Sequence, residues 1–99
     1  MDTAYQFELL KEAYSDDPEL SQVLAKLLDI ALGQQRLRLK RYERDLREFE
    51  KRFGMDSQAF YQKFEAGELG DDMNLFEWAG LLELYQDLLK KINRLELAL

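Results

Sequence analysis

The sequence predicts an all-α fold, an elongated antiparallel helical hairpin of coiled-coil-like type. Apolar residues recur at alternating steps of three and four along residues 18–53 and 73–97, which is the spacing of one buried helix face. Glycine and aspartate residues concentrate between these two stretches, as expected where a helical chain turns back on itself. We therefore predict a single domain, residues 1–99, with a short N-terminal helix at 1–14 and a short corner helix at 56–66.

The composition favours a folded helical protein and argues against catalysis. The chain is 46% hydrophobic and 34% charged with one proline, so it has enough leucine and aromatic residues for a core. It contains no cysteine and no histidine. It therefore lacks disulfides, thiolate nucleophiles, the commonest general base and the commonest metal ligand. We predict no enzymatic activity, no cofactor and no metal site.

The amino terminus and the hydropathy pattern predict a cytoplasmic protein. The first residues are acidic and contain no long apolar run, unlike a secretory signal. No stretch approaches the roughly 18 uninterrupted apolar residues of a membrane-spanning helix. The absence of cysteine agrees with a reducing compartment.

The first element is predicted to be a short helix, because Phe7, Leu10 and Tyr14 are spaced to share one face. A strand across residues 5–9 is the alternative. Asp17 and Pro18 then mark the start of the next helix, since an aspartate can cap it and a proline at its first position loses no hydrogen bond.

The long helix at 18–53 contains nothing that would break it and should extend on the order of 50 Å. One of its faces forms a heptad seam, which we expect to contact the last helix of the hairpin. The seam consists of Ala25, Leu28, Leu32, Gln35, Leu39, Tyr42, Leu46, Phe49 and Phe53.

A second stripe covers only the N-terminal part of this helix. It consists of Val23, Leu27, Ile30, Gln34 and Leu37, which lie well round the helix from the seam. Beyond Leu37 the corresponding positions are charged. Val23, Leu27, Ile30 and Leu37 are therefore our candidate partner-binding residues, to be covered by the N-terminal helix or by another chain.

Nine residues are expected to build the corner of the hairpin: Gly54, Phe60, Phe64, Gly67, Gly70, Asp71, Asp72, Phe76 and Trp78. Gly54 and Gly67 can adopt positive φ cheaply and so end helices. Phe76 points away from the main apolar stripe of its helix, so it would need the face of Phe60 and Phe64 to bury it.

Capping residues define the remaining helix ends at the corner. Asp56 can accept hydrogen bonds from the first N–H groups of the corner helix, with Met55 and Phe60 clasped across it. Asp71, Asp72 or Asn74 can cap the last helix in the same way. Gly80, inside that helix, indicates either a close helix contact or simple tolerance of a residue that costs about 1 kcal/mol relative to alanine.

The last helix should return along the seam with a register that the corner sets. The expected neighbours are Phe53 and Trp78, Leu46 and Tyr85, Leu39 and Ile92, and Leu32 and Leu99. No part of the last helix would then reach residues 20–30. So thin a hairpin rarely stands alone at this size, and we therefore expect a homo-oligomer or a complex with a small protein partner.

Charge is distributed unevenly along the chain. Residues 1–35 carry seven acids and two bases, residues 36–52 carry four acids and eight bases, and residues 53–99 carry nine acids and four bases. The central basic belt could contact nucleic acid phosphates. However, Glu43–Arg47 and Glu48–Arg52 have the spacing of ion pairs on a solvated helix, and the acidic ends would repel a polyanion. We therefore rank nucleic acid below a protein as the expected partner.

Glu68, Asp71 and Asp72 form the densest acidic group in a loop. Their spacing does not match the calcium-binding loop with its distal glutamate. Helix capping explains the aspartates, because negative charge is favourable at a helix N-terminus.

Residues 49–95 resemble a family of small, mostly uncharacterised prokaryotic helical proteins. The matching text is Phe-Gly-Met at 53–55, Phe-Tyr-Gln-Lys-Phe-Glu-Ala-Gly-Glu-Leu-Gly-Asp-Asp at 60–72, and Phe-Glu-Trp-Ala at 76–79. Asn74 and Leu75 depart from the acidic residue and phenylalanine expected there. The resemblance implies an antitoxin-like role, in which the protein binds a small toxin-like protein encoded beside it. It carries no catalytic residues.

Three functions follow as hypotheses. The first is a non-catalytic protein-binding module, antitoxin-like, that lays the second stripe against its partner. The alternative is a structural homodimer, such as a four-helix assembly. The third is a nucleic-acid-associated protein that uses the belt at residues 36–52.

Overall fold

The structure, a computed structural model, describes residues 2–15 and 17–98 and contains four α-helices there. They are α1 (Thr3–Ala13), α2 (Pro18–Phe53), α3 (Ser57–Glu65) and α4 (Met73–Leu97). Helix α2 packs along α4, and α3 closes the corner between them. The molecule measures 56 × 24 × 19 Å along its principal axes. The predicted all-α, elongated helical hairpin is confirmed.

Aspartate side chains begin the helices, as the capping argument predicts. Asp17 accepts a hydrogen bond from the Glu19 N–H at 2.8 Å and precedes α2. Asp56 accepts one from Ala59 at 2.8 Å and precedes α3. Of the three candidates for α4 it is Asp72 that forms the cap, accepting from the Asn74 N–H at 3.0 Å. These bonds satisfy backbone donors that have no partner inside the helix.

Glycines with positive φ end α2 and follow α3. Gly54 has φ 67° and caps α2, and Gly67 has φ 72° directly after the α3 cap. Gly70, with φ 82°, adjusts the loop before α4. Helix α3 is one residue shorter at each end than the predicted range of 56–66, because Asp56 and Ala66 serve as its caps.

The core consists of two clusters along the interface of α2 and α4. The corner cluster contains Leu46, Phe60, Leu75, Trp78, Ala79 and Leu82. The second cluster lies further from the corner and contains Leu32, Leu88 and Ile92, with Leu39 packed against it. The predicted neighbours Leu39 and Ile92 therefore share a cluster. Phe53 stacks on Trp78 with ring centroids 5.5 Å apart. Leu99, the expected neighbour of Leu32, lies outside the described residues.

Helix α1 does not pack against the hairpin formed by the other helices. It forms a helix and not a strand across residues 5–9, but it ends at Ala13 and lies alongside none of the other three helices. All of its residues are exposed. The possibility that α1 covers the second stripe of α2 is therefore not realised in this structure.

Candidate functional site

Aromatic rings at the corner enclose Trp78, which is fully buried. The Phe60 ring lies parallel to the indole at 3.8 Å between centroids, and Phe49 and Phe53 stack on it at 5.8 and 5.5 Å. One residue of α4 thus contacts aromatic rings from both α2 and α3. Because aromatic side chains bury large areas, this stack holds the three helices together.

A buried hydrogen-bond relay anchors the same indole. The Trp78 Nε1–H donates to Ser57 Oγ at 3.0 Å, and Ser57 Oγ in turn donates to Glu50 Oε2 at 2.9 Å. The Ser57 backbone N–H donates to the same carboxylate oxygen at 2.8 Å. Sequence reasoning missed Ser57 and Glu50. No sequence signal set Ser57 apart, because it lies between Asp56 and Gln58 in a polar stretch typical of a helix start.

The relay leaves Ser57 little contact with solvent. Only 6% of Ser57 is exposed, and its hydroxyl already bonds with the indole and the carboxylate. The relay therefore satisfies buried polar groups.

A second polar contact ties α3 to α4. The Tyr61 hydroxyl donates to Glu83 Oε1 at 2.8 Å. Hydrogen bonding to Glu83, with a smaller effect from Glu65, raises the pKa of Tyr61 well above its usual range, because it favours the protonated phenol. Tyr61 therefore remains a donor at neutral pH.

Phe76 is less buried than its predicted environment implies. Its ring meets Phe64 edge-on at 5.3 Å, with an interplanar angle of 87°. Half of Phe76 nevertheless remains exposed, because Phe60 is occupied by Trp78 and leaves Phe64 as the contact. Asp71 and Gly70 lie exposed in the loop before α4.

The second stripe lies open to solvent. Exposed fractions are 53% for Val23, 56% for Leu27, 52% for Ile30 and 65% for Leu37. On the same part of α2 the seam residue Ala25 is also exposed, but Leu28 and Gln35 are half-buried and Leu32 is fully buried. Since these residues share an uninterrupted helix, α2 presents one face to α4 and the second stripe to solvent. The structure thus places all four candidate binding residues on one exposed surface.

A shallow apolar groove continues this surface where α1 meets α2. Its apolar lining consists of Leu10 from α1, Tyr14 directly after α1, and Leu20 and Val23 from α2, and the polar residues Asp17, Glu19 and Gln22 complete it. Leu10, Tyr14 and Val23 are each about half exposed. The groove lies at the joint between α1 and α2, two helices that do not pack along each other.

The basic belt forms few ion pairs. Among the described residues, those within 4 Å are Arg36 with Glu96 at 3.4 Å and Arg44 with Asp45 at 3.6 Å. The predicted pairs Glu43–Arg47 and Glu48–Arg52 are therefore not formed. Exposed pairs gain little energy from a fixed geometry, so other contacts compete with them.

Arg52 shows this competition directly. Its guanidinium lies 5.5 Å from the centre of the Phe49 ring and donates to Asn74 Oδ1 at 3.3 Å. A cation over an aromatic face is favourable, and among the described residues Arg52 forms this contact and no ion pair with Glu48.

Within residues 2–15 and 17–98 no three carboxylates converge on a point that could hold a metal ion. Asp72 is engaged in capping α4. None of the four described helices is long and apolar enough to cross a membrane.

Comparison with known proteins gives no match: neither a family model, nor a curated protein, nor a solved structure is similar enough to this chain to indicate a relative.

Proposed function

We propose that this protein is a non-catalytic protein-binding module with an antitoxin-like role, which binds a small toxin-like protein encoded beside it. The observation that carries the proposal is the exposed second stripe on α2. The family resemblance of residues 49–95 supplies the class of partner. We place the protein in the cytoplasm.

The stripe has the properties of a docking surface. Contiguous exposed apolar residues on a folded protein mark sites of interaction with other proteins. Here they lie on α2, which is already helical in the single chain and packs against α4 at Leu32 and at residues nearer the corner. A partner therefore meets a pre-organised surface and loses less free energy on ordering it. An apolar groove or helix on the partner would accept Leu27 and Ile30 as central anchors.

The belt at residues 36–52 gives less support to nucleic acid binding. Acidic residues are interleaved with the basic ones, and both flanking segments are net negative. Phosphates approaching the belt would therefore meet repulsion on either side.

Co-expression tests the proposal. The tagged chain is produced together with the small protein encoded beside it, and co-purification is measured for the wild type and for Leu27→Glu combined with Ile30→Glu. We expect the wild type to retain the partner and the double variant to lose it, because a carboxylate buried unpaired in an apolar contact is costly.

Leu84→Glu is the matched control. Leu84 is 55% exposed on α4, so this variant receives the same chemical change away from the stripe. Retention of the partner by the double variant, or equal loss with the control, would contradict the proposal.

A further inference from the structure

The pattern of the second stripe is complementary to itself when two copies of α2 run antiparallel. Leu20 precedes it at the same helical spacing, so the positions of this face are 20, 23, 27, 30, 34 and 37, of which all but Gln34 are apolar. These positions are symmetric about the midpoint of residues 28 and 29. Two antiparallel copies of α2 would therefore set Leu27 against Ile30, Val23 against Gln34 and Leu20 against Leu37, with each contact occurring twice. Such an interface is isologous, as in the commonest homodimers.

Charges beside the stripe follow the same symmetry. Asp17 and Glu19 flank its start, and Arg38 and Lys40 flank its end. In the antiparallel register Asp17 lies beside Arg38 of the second copy, and Glu19 lies beside Lys40 of the second copy. Opposite charges thus meet at both ends of the contact. A parallel arrangement would instead place the two basic belts side by side, where like charges repel.

The groove between α1 and α2 enlarges the contact between the two copies. Leu37 is the most exposed residue of the stripe, at 65%. In the antiparallel register it meets Leu20, which lines that groove together with Leu10 and Tyr14. Leu37 of each copy can therefore enter the groove of the other. From Asp17 to Arg41 the contact would run about 37 Å along each helix, which gives the paired helices a long interface.

We infer that the protein without its partner is a homodimer in which two α2 helices pack antiparallel about residues 28 and 29. The inference rests on the proposed function in one respect, because it uses the same stripe as the docking surface. A toxin-like partner would then bind by displacing the second copy.

A charge exchange between variants tests the register. Glu19→Lys and Lys40→Glu each replace two attractive pairs of the homodimer with two repulsive ones. We expect each variant to raise the dimer dissociation constant about tenfold, in keeping with modest exposed ion pairs. An equimolar mixture should recover wild-type affinity, because the new lysine then faces the new glutamate and the other pair keeps its native charges. Sedimentation equilibrium at low salt measures all four samples.

Spin labels test the orientation independently. The chain contains no cysteine, so Arg44→Cys provides a single labelling site. In the antiparallel dimer the two labelled helix positions are about 45 Å apart, whereas a parallel dimer brings them to helix-packing distance, about 10 Å. A short distance overturns the inference.

The remaining outcomes separate this inference from the proposed function. At about 100 μM, a homodimer with a dissociation constant in the micromolar range would be populated. A protein that sediments as a monomer at this concentration therefore overturns the homodimer and does not affect the co-expression test. If neither charge variant weakens the dimer and the mixture restores nothing, the interface lies elsewhere. That result also overturns the inference. A charge-dependent dimer that retains no co-expressed partner supports the homodimer and contradicts the proposed function alone.

Discussion

The corner cluster and the second stripe lie on the same long helix but differ in how they are covered. At the corner, α2 contributes Phe49 and Phe53 to an aromatic stack that α3 and α4 complete. At the second stripe, α2 presents Leu27 and Ile30 to solvent. Both regions are apolar, but other helices of the same chain cover the corner cluster, whereas none covers the second stripe. Apolar sequence therefore predicts a buried face, but chain topology decides whether the cover is internal.

The largest expected effect is at the corner. Trp78→Ala removes a fully buried ring, and such truncations cost about 3–5 kcal/mol. The remaining cavity would be lined by the three phenylalanine rings that stack on the indole. We expect a large drop in the melting temperature of the helical circular dichroism signal. A melting temperature equal to that of the wild type would contradict the stack as the centre of the fold.

Two residues on opposite faces of α2 sharpen the comparison. Leu32 is fully buried against α4, whereas Ile30 is 52% exposed. Leu32→Glu should destabilise the hairpin by about 3 kcal/mol or more, because its carboxylate would be buried without a partner. Ile30→Glu should leave the unfolding of the dilute protein nearly unchanged. Thermal unfolding of both variants at low micromolar concentration provides the measurement, and equal destabilisation would show that the stripe belongs to the core.

A smaller loss is expected from the buried relay. Ser57→Ala leaves the buried Trp78 indole N–H without its acceptor and removes one of the two hydrogen bonds from Ser57 to the Glu50 carboxylate, which keeps the bond from the backbone N–H. Leaving buried polar groups unpaired costs about 1–3 kcal/mol. Urea unfolding would measure the change, with Ser21→Ala on the exposed start of α2 as the matched control. Equal midpoints for both variants would show that the relay contributes nothing.

A gain in stability is predicted for Gly80. No heavy atom lies within 4 Å of the position that a Cβ would occupy there, so the structure favours simple tolerance over close helix contact. Gly80→Ala should therefore stabilise α4 by about 1 kcal/mol through helix propensity alone. The midpoint of urea unfolding should rise, and a decrease would indicate a contact at residue 80 that the structure does not show.

Local signals explain why much of the fold could be predicted. Asp17, Asp56 and Gly54 act through hydrogen bonds and backbone angles within a few residues, and such interactions are visible in sequence. The stripe and the seam were also predictable, because both follow from helical spacing.

Interactions that depend on tertiary geometry were not predictable in the same way. The contact between Ser57 and Glu50 requires the turn at Gly54 to bring two helices together. Arg52 had several partners within reach, and spacing alone favoured Glu48, whereas the packed corner offers the face of Phe49. The partner of the second stripe is a property of another chain, so a single sequence predicts the surface and not its occupant.

The central claim is that contacts within the chain stabilise the corner, whereas association with another chain stabilises the second stripe. Amide hydrogen exchange at two protein concentrations tests this claim most directly. Exchange protection reports the free energy of local opening. We predict that amides of residues 20–37 become more protected as concentration rises from about 1 to 100 μM, because binding stabilises the helix by mass action. Amides of α3 should change less. Protection of residues 20–37 that is independent of concentration would contradict the account.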